Sequence, residues 1–232
     1  MTASLSRQLA AEFAGTALLL ATVVGSGIMG ERLAGGNAAV TLLANSVATG
    51  AVLYALIVAF CKVSGAHFNP LVTLCAAWLG ELSWRRVGPF IAVQSAGAVA
   101  GVVLAHWMFE LPAVSASQHV RAGYAQMGSE LLATFGLLTV VLNCGRHRPD
   151  SVAAAVGFYI AAAYWFTAST SFANPVVTVA RSLTDSFSGI RPIDVPGFIA
   201  AQAAGGLLAA LFYRWMIGPL PPSDASEEQR LA

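Results

Sequence analysis

The chain has 232 residues, a formal net charge of +1, and 57% hydrophobic against 10% charged residues. Soluble domains carry about 25% charged residues, so this chain, with a mean hydropathy of +0.70, reads as a membrane protein rather than as soluble domains. The small net charge gives no basis for binding nucleic acid, and Cys61, Cys75 and Cys144, with no CxC or CxxC pair, read as free thiols.

In chain order, six apolar runs are long enough to cross a bilayer at about 1.5 Å per residue: 8–29, 38–61, 86–109, 127–145, 151–170 and 196–217. The first, with Arg7 ahead of it, mimics a secretory leader. It contains Glu12, is about 20 residues long and is echoed later, so it is a span and not a leader. Two further apolar segments, 69–79 and 174–184, are too short to span. They lie in "GAHFNPLVTL" (65–74) and "SFANPVVTVA" (171–180), and each begins with Asn-Pro. Asn accepts N–H bonds as a helix cap, and Pro suits the first helical position, where its missing N–H would have no partner. Each Asn-Pro is therefore predicted to start a half-helix. The last residues, 223–232, form a polar tail expected on the cytoplasmic side.

The two halves repeat in one order. "AEFAGT" (11–16) places Glu12 early in the first span, and "SELLAT" (129–134) places Glu130 early in the fourth. "FIAVQSAG" (90–97) returns as "FIAAQAAG" (198–205), with Gln94 matching Gln202. These matches, with the two Asn-Pro motifs, indicate a duplication. Three spans per copy put the second copy upside down, an inverted repeat. The expected unit is a channel domain over 1–222, with repeat one at 5–112 and repeat two at 124–218. Arg7, Lys62, Arg85, Arg86, Arg146, Arg148, Arg214 and Arg230 fall on one side of this layout. Arg32, Arg121, Arg181 and Arg191 fall on the other, which predicts that both termini are cytoplasmic.

The half-helices then enter from opposite sides, and Asn69 and Asn174 meet near the midplane. Irregular backbone at that depth must lie inside protein or along a water-filled path. Helix N-termini carry roughly half a positive charge, and the two Asn amides add donors. A neutral hydroxylated solute can accept those hydrogen bonds, whereas a cation or proton meets a barrier.

The paired Asn-Pro motifs, the "GAHFNP" lead-in, the "AEFAGT" opening and the Gln94/Gln202 repeat together resemble the aquaporin and aquaglyceroporin (major intrinsic protein) family over about 5–217. The resemblance implies an all-α membrane fold with six transmembrane helices and two re-entrant half-helices. It also implies one pore per subunit, a homotetramer and no cofactor or metal. The family usually has Asn-Pro-Ala twice. Here Asn69-Pro70-Leu71 and Asn174-Pro175-Val176 carry larger third residues, which raises the question of midplane width.

Counting from the motifs, the family's four constriction positions fall on Thr49, Ala162, Ser171 and Val177. The family's water- and glycerol-selective members almost always carry Arg where Val177 stands, and usually a bulky aromatic where Thr49 stands. The expectation is a wide mouth without fixed charge, passing solutes larger than water. Arg181, four residues beyond Val177 and on the same helix face, is expected either to draw weak anions at the outer vestibule or to pair with Asp185 on a solvated face. His67 is a candidate for the cytoplasmic vestibule.

This filter resembles that of bacterial aquaglyceroporins associated with arsenic resistance, the rhizobial one among them. The resemblance implies passive permeation, across the bacterial inner membrane, of neutral metalloid acids such as arsenous acid. Methylated arsenicals are an extension, with glycerol and water also conducted. A general water and glycerol facilitator is the alternative. A proton-coupled transporter would use Glu12 and Glu130 as coupling sites; their symmetric placement instead predicts that they accept bonds from the re-entrant loops. No HExxH or comparable constellation supports an enzyme.

Overall fold

A computed structural model describes residues 3–217. The end of the expected channel unit at 222, Arg230 and the tail 223–232 lie outside the described residues. Among the described residues eight α-helices follow one another: α1 Leu5–Leu33, α2 Ala38–Ser64, α3 Pro70–Trp78, α4 Trp84–Met108, α5 Tyr124–His147, α6 Val152–Phe166, α7 Pro175–Arg181 and α8 Val195–Ile217. The fold is that of an all-helical, aquaporin-like membrane protein, and α3 and α7 are the two half-helices. Both begin as the Asn-Pro motifs require. The Asn69 side chain accepts from the Leu71 N–H, and that of Asn174 from the N–H groups of Val176 and Val177.

Two helices are shorter than expected, and both stop where other elements take their backbone groups. α6 ends at Phe166 rather than 170: the Gln126 side chain donates to the Ala168 carbonyl, and the Ala168 N–H donates to Ser129. α7 ends at Arg181 rather than 184 because the N–H groups of Ser115 and Ser117, in the loop between α4 and α5, take the carbonyls of Leu183 and Ser182. Among the described residues five helices are long and apolar enough to cross a membrane. The sixth, α6, has 15 residues, about 22 Å of helix at 1.5 Å per residue.

Packing follows the duplication. α1 lies against α2 and α4, and α5 lies against α6 and α8 in the same way. α2 and α6 join the halves. Each half-helix is gripped from both sides, since α3 touches α4 and α8, α7 touches α8 and α4, and α3 meets α7. The outer faces expose Trp107, Phe158 and Trp215, as a lipid-facing surface does.

The join between halves depends on small residues. A methyl group added at Gly50 would lie 2.7 Å from the Gly157 carbonyl oxygen, and one at Gly157 would lie 2.7 Å from that of Gly50. The helices therefore cross backbone against backbone. Gly157→Leu is expected to cost about 1–3 kcal/mol through overpacking. A thermal melt of the purified variant in detergent checks this: a lower melting temperature is expected, and an unchanged one would contradict the close crossing.

Candidate functional site

The loops ahead of the half-helices have unusual backbone. Ala66 and Phe68 have φ of 52° and 50°, and Thr170, Ser171 and Ala173 have 62°, 50° and 50°. Residues with side chains seldom adopt this left-handed region, at about 1–3 kcal/mol each. Glu12 and Glu130 hold it in place. Glu12 Oε1 accepts from Ser64 Oγ at 2.6 Å and from the His67 N–H at 2.9 Å. Its Oε2 accepts from the Phe68 N–H and from Gln94 Nε2, both at 2.8 Å. Glu130 accepts from the N–H groups of Phe172 at 2.8 Å and Ala173 at 2.9 Å, and from Gln202 Nε2 at 2.6 Å. Gln94 and Gln202 also donate to Thr73 and Thr178, whose hydroxyls return to the carbonyls of Asn69 and Asn174. All four acids and amides are fully buried. The two copies of this frame share the two loop N–H bonds, the glutamine bond and the threonine link, and the Ser64 hydroxyl bond to Glu12 is found in the first copy alone among the described residues.

Asn69 Nδ2 donates to the Ala173 carbonyl and Asn174 Nδ2 to the Phe68 carbonyl, both at 2.8 Å. Each amide thus locks the opposite loop with one N–H. A side-chain amide has two, and both Asn residues line a cavity of about 100 Å³.

The walls of that cavity divide by character. Apolar residues enter at four-residue intervals: Leu19 and Val23 from α1, Leu53 and Ile57 from α2, Leu137 and Val141 from α5, Val152, Val156 and Ile160 from α6. The polar side is built by the re-entrant segments, with His67, Asn69, Ser171, Asn174 and Arg181. His67 also lines a second cavity of about 320 Å³ with Cys75, Glu81 and Arg146, near the ends of α3 and α5. His67 therefore stands at the join between the two. Its Nδ1 lies 3.1 Å from Thr73 Oγ1.

Thr49, Ser171 and Val177 line the first cavity. Ala162 does not. It is exposed on the outside of α6, two residues and about 200° around the helix from the inward Ile160. Tyr164 occupies the inner face instead, and its hydroxyl lies 3.2 Å from Thr49 Oγ1. Leu71 and Val176 are also off the path. Leu71 belongs to a buried cluster with Leu138 and Ala209, and Val176 to one that includes Ala98 and Val102. Their bulk is absorbed between helices, not at the cavity wall.

The expectation of a mouth without charge is corrected. Arg181 is 1% exposed and lines the same cavity as Val177, because helix side chains lean back toward the N-terminus. Its guanidinium carbon lies 3.4 Å from the centre of the Phe172 ring, and its Nε donates to the Ser188 carbonyl. Pairing with Asp185 on a solvated face is overturned: Asp185 accepts from the Gln118 N–H instead. Behind it sits Arg121, 5% exposed, its guanidinium 4.9 Å from the same ring. Burial, and then the charge of Arg181, pulls the Arg121 pKa below its usual value. Sequence reading used Arg121 only as a marker of sidedness; one basic residue in the polar stretch "ELPAVSASQHVRAG" carries no signal of burial.

Glu130→Gln replaces one acceptor oxygen by a donor facing donors. About 1–3 kcal/mol is expected for each group left unpaired, read as a lower melting temperature. A variant as stable as wild type would show that the loop does not depend on the carboxylate.

Known proteins fall in with this geometry. The family model for the major intrinsic proteins (MIP) matches residues 1–149. Aquaglyceroporin AqpS of Rhizobium meliloti (strain 1021) is 50% identical over 218 residues, 94% of this chain and 93% of that one. Aquaporin NIP6-1 of Arabidopsis thaliana is 28% identical, over 98% of this chain and 73% of its own. In fold alone, the X-ray structure of the aquaglyceroporin from Plasmodium falciparum matches with a TM-score of 0.70 at 18% identity, covering 99% of this chain and 100% of that one. The chain therefore belongs to the major intrinsic protein family, whose aquaglyceroporins are membrane channels and not enzymes.

Proposed function

We propose that this passive channel for small neutral solutes carries hydroxylated molecules larger than water, with arsenous acid as the leading substrate. Glycerol and water pass by the same path, and methylated arsenicals are a reasonable extension. The observation that carries the reading is Val177 in the cavity wall beside Thr49 and Ser171. An Arg at 177 would add a charge and five donors there. Valine leaves room and an apolar surface.

A solute with hydroxyls on one side and a less polar body on the other suits the divided walls. Its hydroxyls meet the second N–H of Asn69 and of Asn174, and the Thr49–Tyr164 pair. Its body lies along the apolar stripes. The saturated bonding of Glu12 and Glu130 supports a structural role for both acids, against proton coupling. The alternative within the channel class is a general water and glycerol facilitator, favoured by Tyr164, which narrows the outer end relative to the small residue expected there.

The reading includes one channel unit over 1–222 made of repeats 5–112 and 124–218, assembled as a homotetramer. It places the unit in the bacterial inner membrane with both termini cytoplasmic and His67 toward the cytoplasmic vestibule. Downhill export of arsenous acid requires a reductase or another arsenic-converting enzyme to supply it inside. Stopped-flow swelling of proteoliposomes in glycerol, urea and arsenous acid tests the reading. Wild type is expected to pass all three, and Val177→Arg to lose them by at least about ten-fold while keeping water, as uniform blocking of larger solutes requires. Equal, water-only conduction by both proteins would overturn the filter assignment.

A further inference from the structure

We propose that the outer end of the cavity binds a small monoanion presenting two oxygens, a carboxylate of formate size, on the guanidinium of Arg181 with Arg121 behind it. The inference rests on the channel reading only for the path on which this site lies.

Two buried cations here have no carboxylate in contact among the described residues. Every nearby carboxylate is engaged elsewhere. Asp185 accepts from the Gln118 N–H, Glu31 from the Phe187 N–H, and Asp194 from the Arg121 N–H and the Arg191 side chain. Glu130 is committed to the loop N–H groups and Gln202. Among the described residues, the one ion pair is Arg191–Asp194 at 3.0 Å, and neither Arg121 nor Arg181 has a carboxylate within 4.0 Å.

The two arginines differ in what they still need. Arg121 Nε, Nη1 and Nη2 donate to the carbonyls of Gly189, Ser169 and Phe187. Its donors are satisfied, yet its charge is not neutralised. Arg181 Nε is used by Ser188, but its Nη2 is buried with no partner among the described residues. Arg181 lines the cavity and Arg121 does not. An uncompensated buried charge and an unpaired buried donor are both costly. A carboxylate removes both penalties at once, because its planar oxygens fit the guanidinium fork. A neutral solute would satisfy the donor and leave the charge. The Thr49–Tyr164 pair, which lines the same cavity, sets the size limit.

The test uses purified full-length protein at neutral pH and constant ionic strength, titrated with ¹³C-formate and followed by formate line width. Wild type is expected to bind saturably. Arg181→Gln should weaken binding by at least about ten-fold, the loss of a charged hydrogen bond. Arg181→Lys, which keeps the charge and loses the fork, should fall between the two. Arg7→Gln, at an exposed position of α1, should match wild type.

In proteoliposomes, external formate should slow glycerol entry saturably, and its neutral isostere formamide should not. Absence of saturable formate binding to wild type, or equal binding by Arg181→Gln, overturns the inference. Equal inhibition by formate and formamide does the same, and it serves should the Arg181→Gln variant not fold. Formate binding in a protein that passes no glycerol would sink the channel reading and leave the site standing.

Discussion

The re-entrant loops carry backbone N–H groups to a depth where a membrane offers no water to receive them, and Glu12 and Glu130 receive them instead. Everything central to the molecule depends on that exchange. Without an acceptor, left-handed backbone at Ala66, Phe68, Ser171 and Ala173 would be both strained and unpaired. With it, the loops are fixed, and each Asn can cap its own half-helix while gripping the other loop. The half-helices then end at one another, and the gap they leave beside α1, α2, α5 and α6 is the cavity. The buried carboxylates belong to the frame of a pore; as coupling sites they would need a free oxygen facing the path.

The chemistry of the path follows from which side supplies which atoms. Spanning helices contribute an apolar wall, since the side chains they turn inward at four-residue spacing are Leu, Val or Ile except Thr49 and Tyr164. The loops contribute the polar groups. The Arg181 charge leans on Phe172, with Arg121 over the same ring, while Val177 in the same cavity wall is apolar. Val177, the Thr49–Tyr164 pair and Arg181 thus line one cavity, with Arg121 packed on the far side of its wall.

Much of this was legible in the sequence, because the signals were local or duplicated. Asn-Pro dictates a helix start by its own hydrogen bonding, and a Glu repeated at the same place in each half suggested a structural acceptor. Counting failed where the chain between two landmarks is irregular. The irregular turn at 167–170 separates Asn174 from α6, and Ala162 faces outward. The series Val152, Val156, Ile160 and Tyr164 is a helical stripe in plain view, and it marks the inner face without counting through a loop. Leu71 and Val176 adjoin Asn-Pro, so the sequence alone leaves the midplane width an open question. One residue along a helix is a rotation of about 100°, enough to turn them into the packing. The burial of Arg121 depends on carbonyls from three separate stretches, and no local pattern announces such a site.

The claim that Glu12 and Glu130 serve a passive pore is tested most directly by the dependence of solute flux on driving force. Initial glycerol influx into proteoliposomes would be measured over a wide concentration range, with and without an imposed proton gradient. The account predicts a rate that rises linearly with concentration and is indifferent to the proton gradient. A rate that saturates and follows the proton gradient would contradict it and return the two carboxylates to the role of coupling sites.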